Sequence, residues 1–219
     1  MSKPVVREPL RRNSRANRAR ILATARKELG RNPDVTLEEL ARAAGVVRRT
    51  LFGHFPGRAA LLEALAEEAS ETLRLAVAAG VEREKENSAE WALARLVFSM
   101  WPVGDRYRLL LALARRDLGV ERVAEVLAPA RTETTAVLER GQRDGVFQSH
   151  LPAAVLSAGL EAMTVALLEA VNTGALEDDG GIRVALTTLI AAGVPEERAR
   201  VVVEAVASST AIAESVVDD

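Results

Sequence analysis

With 219 residues, no cysteine and two histidines far apart at positions 54 and 150, the chain excludes disulfides, thiolate nucleophiles and any Cys-based or paired-His metal site. Its formal net charge of −2 conceals a partition: residues 1–60 carry 14 Lys/Arg against 5 Asp/Glu, whereas residues 61–219 carry 15 against 26. That asymmetry separates a phosphate-seeking head from a body that repels nucleic acid. Hydrophobic residues at 48% suffice for a core, and aromatics at 3% in an Ala, Leu, Val, Glu and Arg background favour an all-α fold over sheet. Apolar runs are broken by charges such as Glu161 and Glu169, and the basic N-terminus lacks the apolar segment of a leader, so no membrane association is expected.

Residues 1–14 hold two prolines and several arginines without periodicity, and read as a flexible basic arm. Arg7, Arg11, Arg12 and Arg15 either reach a minor groove or form a solvated tail. From about Arg15 to Leu29 a first helix places Ile21, Leu22, Ala25 and Leu29 on one side, with Gly30 and Pro33 as its stop. Thr36 followed three residues on by Glu39 is a capping box, and Leu37, Leu40, Ala41 and Ala44 lay one apolar stripe along a two-turn helix. Gly45 supplies the turn. Beyond it Val46, Leu51 and Phe55 face inward, leaving Arg48, Arg49, Thr50 and Gly53 outward on a short second helix. Two arginines in the first turn of such a helix have the chemistry of a major-groove reader.

These residues carry a resemblance. From Ile21 to Leu62 the chain resembles the DNA-binding domain of the tetracycline-repressor (TetR) family, and TLFGHFPGRAALL at 50–62 is similar to that family's Thr-Leu-Tyr-x-His-Phe-x-x-Lys-x-x-Leu ending. Three positions depart: Val47 stands where a capping Ser is common, Phe52 replaces a Tyr, and Arg58 replaces a phosphate-touching Lys. The helix pattern and the resemblance together assign Arg48, Arg49 and Thr50 to base edges, Phe52 to a thymine methyl or sugar, and Thr36, His54 and Arg58 to phosphates.

Pro56-Gly57 opens a long helix to about Ala79, and the charged stretch from Gly80 to Asn87 ends it. The division expected is therefore a basic arm (1–14), a helix-turn-helix domain (15–57), a connecting helix (58–80), a body (81–210) and an acidic tail (211–219). In the body, one helix is expected from about Ser88 to Trp101 and, after a turn at Pro102-Val103-Gly104, another from Tyr107 to Leu118. Both tryptophans, the only tyrosine and one of four phenylalanines fall within 17 positions here. With Met163 from a later helix, Trp91, Phe98, Trp101 and Tyr107 form either the wall of a ligand pocket or a plain core. A short helix from Glu121 to Leu127 and a second starting at Pro129 follow. His150 has no partner at ligand spacing and reads as a surface or pocket-rim residue. The segment from Pro152 to about Asn172 is apolar over most of its circumference, as is Ile182 to Ala192, and a final helix runs to about Ala207. The resemblance implies that the two apolar helices pair subunits through a four-helix bundle, with Leu156, Leu160, Leu167, Leu186 and Leu189 at the contact.

The expected fold is thus an N-terminal three-helix helix-turn-helix domain followed by a C-terminal helical bundle for ligand binding and dimerisation. The expected function is that of a homodimeric transcriptional repressor on a palindromic double-stranded operator, released by a small, mostly apolar effector, cytoplasmic and nucleoid-associated. The other reading keeps the DNA reader but places control in a protein partner or in abundance. No Ser/His/Asp or carboxylate–histidine pattern suggests an enzyme, and no cofactor or metal is expected.

Overall fold

The computed structural model describes residues 7–82 and 88–217, which form nine α-helices and no strand. They are α1 (Arg7–Arg31), α2 (Leu37–Ala43), α3 (Arg48–His54), α4 (Arg58–Glu82), α5 (Ala89–Asp117), α6 (Val120–Arg143), α7 (Ala153–Asn172), α8 (Ile182–Ala191) and α9 (Glu196–Val217). The all-α class follows from the composition, and five boundaries differ from expectation.

The first lies at the N-terminus. Residues 7–14 are the opening turns of α1 rather than an arm, because Pro9 sits in the first turn, where a missing N–H leaves no hydrogen bond unmade. Arg12 and Arg15 are exposed on that helix, while the part of the arm expectation that concerns residues 1–6 lies outside the described residues. The second and third are prolines. Neither Pro102 nor Pro129 breaks the chain; each lies inside a single long helix. An interior proline costs about 3 kcal/mol. Around Pro102 the side chains of Leu93, Leu96, Val97, Phe98 and Trp101 are all buried, at about 1.5–3 kcal/mol for each large one, so continuing the helix wins. Around Pro129, Val123, Val137 and Leu138 do the same for α6. The fourth is Gly80, which ends nothing: it is buried inside α4, where an added Cβ would stand 2.9 Å from Ser99 Oγ, so its smallness lets α4 and α5 approach. The final helix likewise runs past Ala207 to Val217.

The chain forms two compact units that interleave in sequence. One comprises residues 1–69 and 109–124; the other comprises 70–108 and 125–219. The contiguous division at residue 57 or 80 therefore does not describe the contacts, since the end of α5 and the start of α6 belong with the basic head. In the first unit Ile21, Leu22, Ala25, Leu29, Leu40, Leu51, Phe55 and Leu61 form the core, with Leu110, Leu113 and Val123 also buried. Gly30 admits Leu109, whose Cβ lies 3.1 Å from where a glycine-replacing Cβ would stand. Ion pairs surround this core: Arg26–Glu68 at 2.5 Å, Arg116–Asp34 at 3.7 Å, and Arg122 with Glu63.

In the second unit one continuous core joins α5, α6, α7, α8 and α9, and includes Leu93, Trp101, Leu138, Leu160, Leu189 and Val202. By length and a mean hydropathy of 1.7, α7 is long and apolar enough to cross a membrane, contrary to the expectation drawn from its interrupting charges. Only 22% of it is buried. Its mid-helix Glu161 accepts two hydrogen bonds from Arg131 of α6, an arrangement suited to a helical body rather than to lipid.

Glu90, 6% exposed, accepts a 2.8 Å hydrogen bond from Arg198 of α9. Burial alone would push its carboxyl up, but Arg198, the backbone and Ser88 outweigh it and hold the group below the usual carboxylate range. Because the folded value is depressed, the stabilisation is present above the ordinary Glu range and disappears as pH falls through the lowered value. Glu90→Gln is expected to cost about 1–2 kcal/mol at pH 7 and nothing once both forms are protonated. Urea midpoints of the two proteins measured from pH 7 to pH 3 should converge; a constant gap would show that charge is not the cause.

Candidate functional site

The head builds a reading helix from local rules. Thr36 N-caps α2, its Oγ1 accepting from the Glu39 N–H at 3.2 Å while Glu39 Oε2 accepts from the Thr36 N–H at 2.8 Å. These bonds hold the Glu39 carboxyl below its ordinary value, the backbone bond from Thr36 contributing most. At the other end Val46 N–H donates to Ala41 O and Gly45 N–H to Arg42 O, with Gly45 at φ +63°. This is a Schellman closure, and it needs the left-handed residue. The chain then enters α3 through Val47, which is extended, makes no side-chain cap and is 69% exposed. Leu51 and Phe55 seat α3 at 0% and 2% exposure, and the Arg18 guanidinium lies 5.5 Å over the Phe55 ring.

Opposite this seat are the expected base-contacting residues. Arg48 and Arg49 are exposed, while Thr50 and Phe52 are half-buried beside them. Their environments differ. Arg48 pairs with Glu38 of α2 at 3.0 Å and stacks on Phe52 at 5.0 Å, whereas Arg49 makes no ion pair among the described residues. Sequence reasoning missed Glu38, whose signal is an acid ten positions before the reader arginine in an otherwise basic head.

Of the three expected phosphate contacts, His54 is half-buried beside Phe55, with ring centroids 6.2 Å apart. Thr36 is exposed but its hydroxyl is occupied by the cap. Arg58 turns inward: Nη1 donates to Val35 O at 3.1 Å, Nη2 to Pro33 O, and Nε to Asp117 Oδ2 at 3.3 Å. Its fork thus ties the α1–α2 connection to the end of α5, which an Arg does better than a Lys because five planar donors reach three acceptors. Asp117 sits below its ordinary value chiefly through Arg116, with Arg58 adding to it.

The body unit holds a cavity of about 120 Å³. It is lined largely by apolar side chains, among them Leu73, Leu93, Val97, Leu127, Leu160 and Leu168, with Arg131, Thr134, Ser157, Glu161, Thr164 and Thr188 as polar members. Of the five residues expected around a ligand, Trp101 lines it and the other four do not. Phe98 is buried in the core cluster, Trp91 and Met163 pack against that cluster, and Tyr107 is half-buried with interactions of its own. Trp101 is fixed by a 3.2 Å bond from Nε1 to Asp178 Oδ1 and by Gly181, where a Cβ would lie 2.7 Å from the ring. The polar lining residues were missed because a single Thr or Arg on an amphipathic helix carries no periodic signal.

The five leucines expected at a subunit contact are mostly spent inside the protomer. Leu156, Leu160 and Leu189 are buried in its own core, and Leu167 and Leu186 pack against it. The exposed apolar residues of the same two helices are instead Val155, Ile182 and Ile190, with Ala158, Gly159 and Ala162 exposed beside Val155.

Residues 21–65 match the sequence profile of the bacterial regulatory proteins of the tetR family. Over that segment the chain is similar to tetR-family regulators. Among curated proteins, the chain is 32% identical over 89 residues to nucleoid occlusion factor SlmA of Haemophilus ducreyi, a match covering 41% of this chain and 38% of that one. Solved structures show the same fold along most of the chain. A gamma-butyrolactone receptor (ArpA-like protein) is 22% identical, covering 90% of this chain and 99% of its own, with a TM-score of 0.67. LfrR of Mycobacterium smegmatis in complex with proflavine is 24% identical, covering 82% and 97%, with a TM-score of 0.60. FadR of Bacillus subtilis in complex with stearoyl-CoA is 14% identical, covering 80% and 97%, with a TM-score of 0.65.

In this head, Arg58→Ala should lower stability by about 1–3 kcal/mol, because two backbone carbonyls and Asp117 lose their donor. A thermal melt of the variant checks it. An unchanged melting temperature with uniformly weaker DNA binding would return Arg58 to phosphate contact.

Proposed function

We propose that the protein is a homodimeric repressor whose two α3 helices read successive major grooves of a palindromic operator, and whose body holds a small effector that releases it. The observation that carries this reading is the exposed Arg48–Arg49 pair on a helix seated by Leu51 and Phe55, in the same chain as an apolar cavity. In a two-fold dimer the readers stand about 34–36 Å apart, one helical turn of DNA. Arg49 reads a base edge, and Arg48, stiffened by Glu38 and Phe52, supplies a second contact that favours guanine or phosphate. Thr50 and Phe52 flank them, and the protein works in the cytoplasm at the nucleoid.

Dimerisation falls to the exposed face of α7 and α8 at Val155, Ala158, Gly159, Ala162, Ile182 and Ile190 rather than to the leucines behind it. Support comes from the low burial of α7 despite its hydropathy. Effector binding in the body acts only if it prefers a dimer geometry in which the readers no longer fit. Three helices, α4, α5 and α6, run from one unit into the other and give that preference a covalent route. Proflavine, stearoyl-CoA and a gamma-butyrolactone named for the fold relatives support a small-molecule effector here. A second reading, control by a protein partner without a small molecule, draws on the size of the cavity, 120 Å³ against roughly 300–1,000 Å³ for common ligand pockets.

Two measurements decide between outcomes. Arg49→Ala should relax discrimination at one or two operator positions at a cost of about 1–3 kcal/mol, read by anisotropy titration across single-base operator variants; equal loss on every duplex would contradict base readout. Val155→Arg should give a monomer by sedimentation and lose operator affinity steeply, while keeping its helical spectrum; a dimer of unchanged affinity would move the interface elsewhere.

A further inference from the structure

We propose that the body cavity selects uncharged ligands: a compact molecule with an apolar body and one neutral hydrogen-bonding group, such as a carboxamide or ketone, which meets the Thr188 hydroxyl. The inference rests on the reading that this cavity is the effector site, and it adds the chemical class.

Size comes first. At about 120 Å³ the cavity is slightly smaller than the apolar cavities of about 150 Å³ that hold a single benzene ring, so it admits one ring or a short branched chain. Long acyl chains and fused polycycles exceed it.

Charge comes second. Among the lining residues only Arg131 and Glu161 ionise, and they face each other as a fork: Arg131 Nε donates to Glu161 Oε2 at 2.9 Å and Nη2 to Oε1 at 2.8 Å. Each cancels the other. A ligand carboxylate entering this wall would have to take Arg131 from Glu161 and leave that acid unpaired; an ammonium would do the converse to Arg131. A neutral dipole uses the remaining N–H groups and lone pairs without opening the fork.

The polar anchor comes third. Thr188 is 3% exposed, lines the cavity, and its Oγ1 has no hydrogen-bond partner. Of the other wall hydroxyls, Thr164 Oγ1 donates to Leu160 O at 2.9 Å and Ser157 Oγ to Arg131 O at 3.4 Å, while Thr134 is only half-buried, so Thr188 carries the one buried wall hydroxyl without a partner among the described residues. Within α8 itself, neighbouring Thr187 donates to Arg183 O at 2.7 Å, so a back-bond to the preceding turn is open to this helix, yet Thr188 does not use one. A valine would fill the same volume without a stranded hydroxyl, so a plain core gives no reason for threonine here, whereas a ligand acceptor does.

The test uses the full-length protein and four probes of similar size: benzamide, benzoate, benzylamine and toluene, followed by calorimetry and thermal melting. Benzamide is expected to bind roughly tenfold or more tightly than benzoate or benzylamine, with toluene also bound. Thr188→Val should weaken benzamide about threefold to tenfold, leave toluene unchanged, and keep or raise the melting temperature of the unliganded protein, so misfolding cannot imitate the result. Glu161→Gln should admit benzoate. Benzoate or benzylamine binding to the wild type as tightly as benzamide, an unaltered benzamide affinity in Thr188→Val, or no binding by any probe overturns the proposal. If benzamide binds as described but operator affinity is unchanged by it, the charge rule stands and the effector reading fails.

Discussion

The shape of the head depends on the burial of Leu51 and Phe55. A seven-residue helix has no independent stability in water, since nucleation alone exceeds what so few hydrogen bonds return. α3 exists because these two side chains, spaced one turn apart, drop into the core of α1, α2 and α4. The same spacing then dictates the opposite face, so Arg48 and Arg49 are presented outward as a geometric consequence of hydrophobic packing. The absence of a side-chain cap at Val47 is tolerable for the same reason: a cap is worth about 1 kcal/mol, and two fully buried large side chains are worth more.

Polar contacts in the two units play different parts. In the head, Arg58, Arg116 and Arg122 meet Asp117, Asp34 and Glu63, and join the end of α5 and the start of α6 to the reader's scaffold. Each is at most partly buried and individually modest, but Arg58 also satisfies two carbonyls of the α1–α2 connection, which is a specific orienting role. In the body, the Arg131–Glu161 fork sits on the wall of an otherwise apolar space, where its value lies in what it excludes more than in what it stabilises.

The two prolines and Gly80 illustrate how local signals lose to packing. Pro102 and Pro129 each read as a helix boundary because local rules weigh only the lost N–H and the clash with the preceding turn. Burial of neighbours on both sides outweighs that penalty, and the chain continues as one helix. Gly80 reads as a terminator for a similar reason, although its missing side chain serves the approach of Ser99. Long continuous helices in turn allow a single element to belong to two units, which no contiguous division of the chain could anticipate.

The sequence alone determined what is encoded locally: the all-α class, the capping box at Thr36 and Glu39, the Gly45 turn, the inward spacing of Leu51 and Phe55, and the outward arginines. Each rests on residues within one or two helical turns, where periodicity and backbone preference act directly. Only the tertiary structure decided which side of α7 and α8 remains uncovered, that Arg58 turns inward, that Trp101 alone of the expected aromatics meets the cavity, and that Thr188 is left without a partner. These depend on contacts between residues dozens of positions apart, and apolar periodicity says that a helix has a buried face without saying what will lie against it.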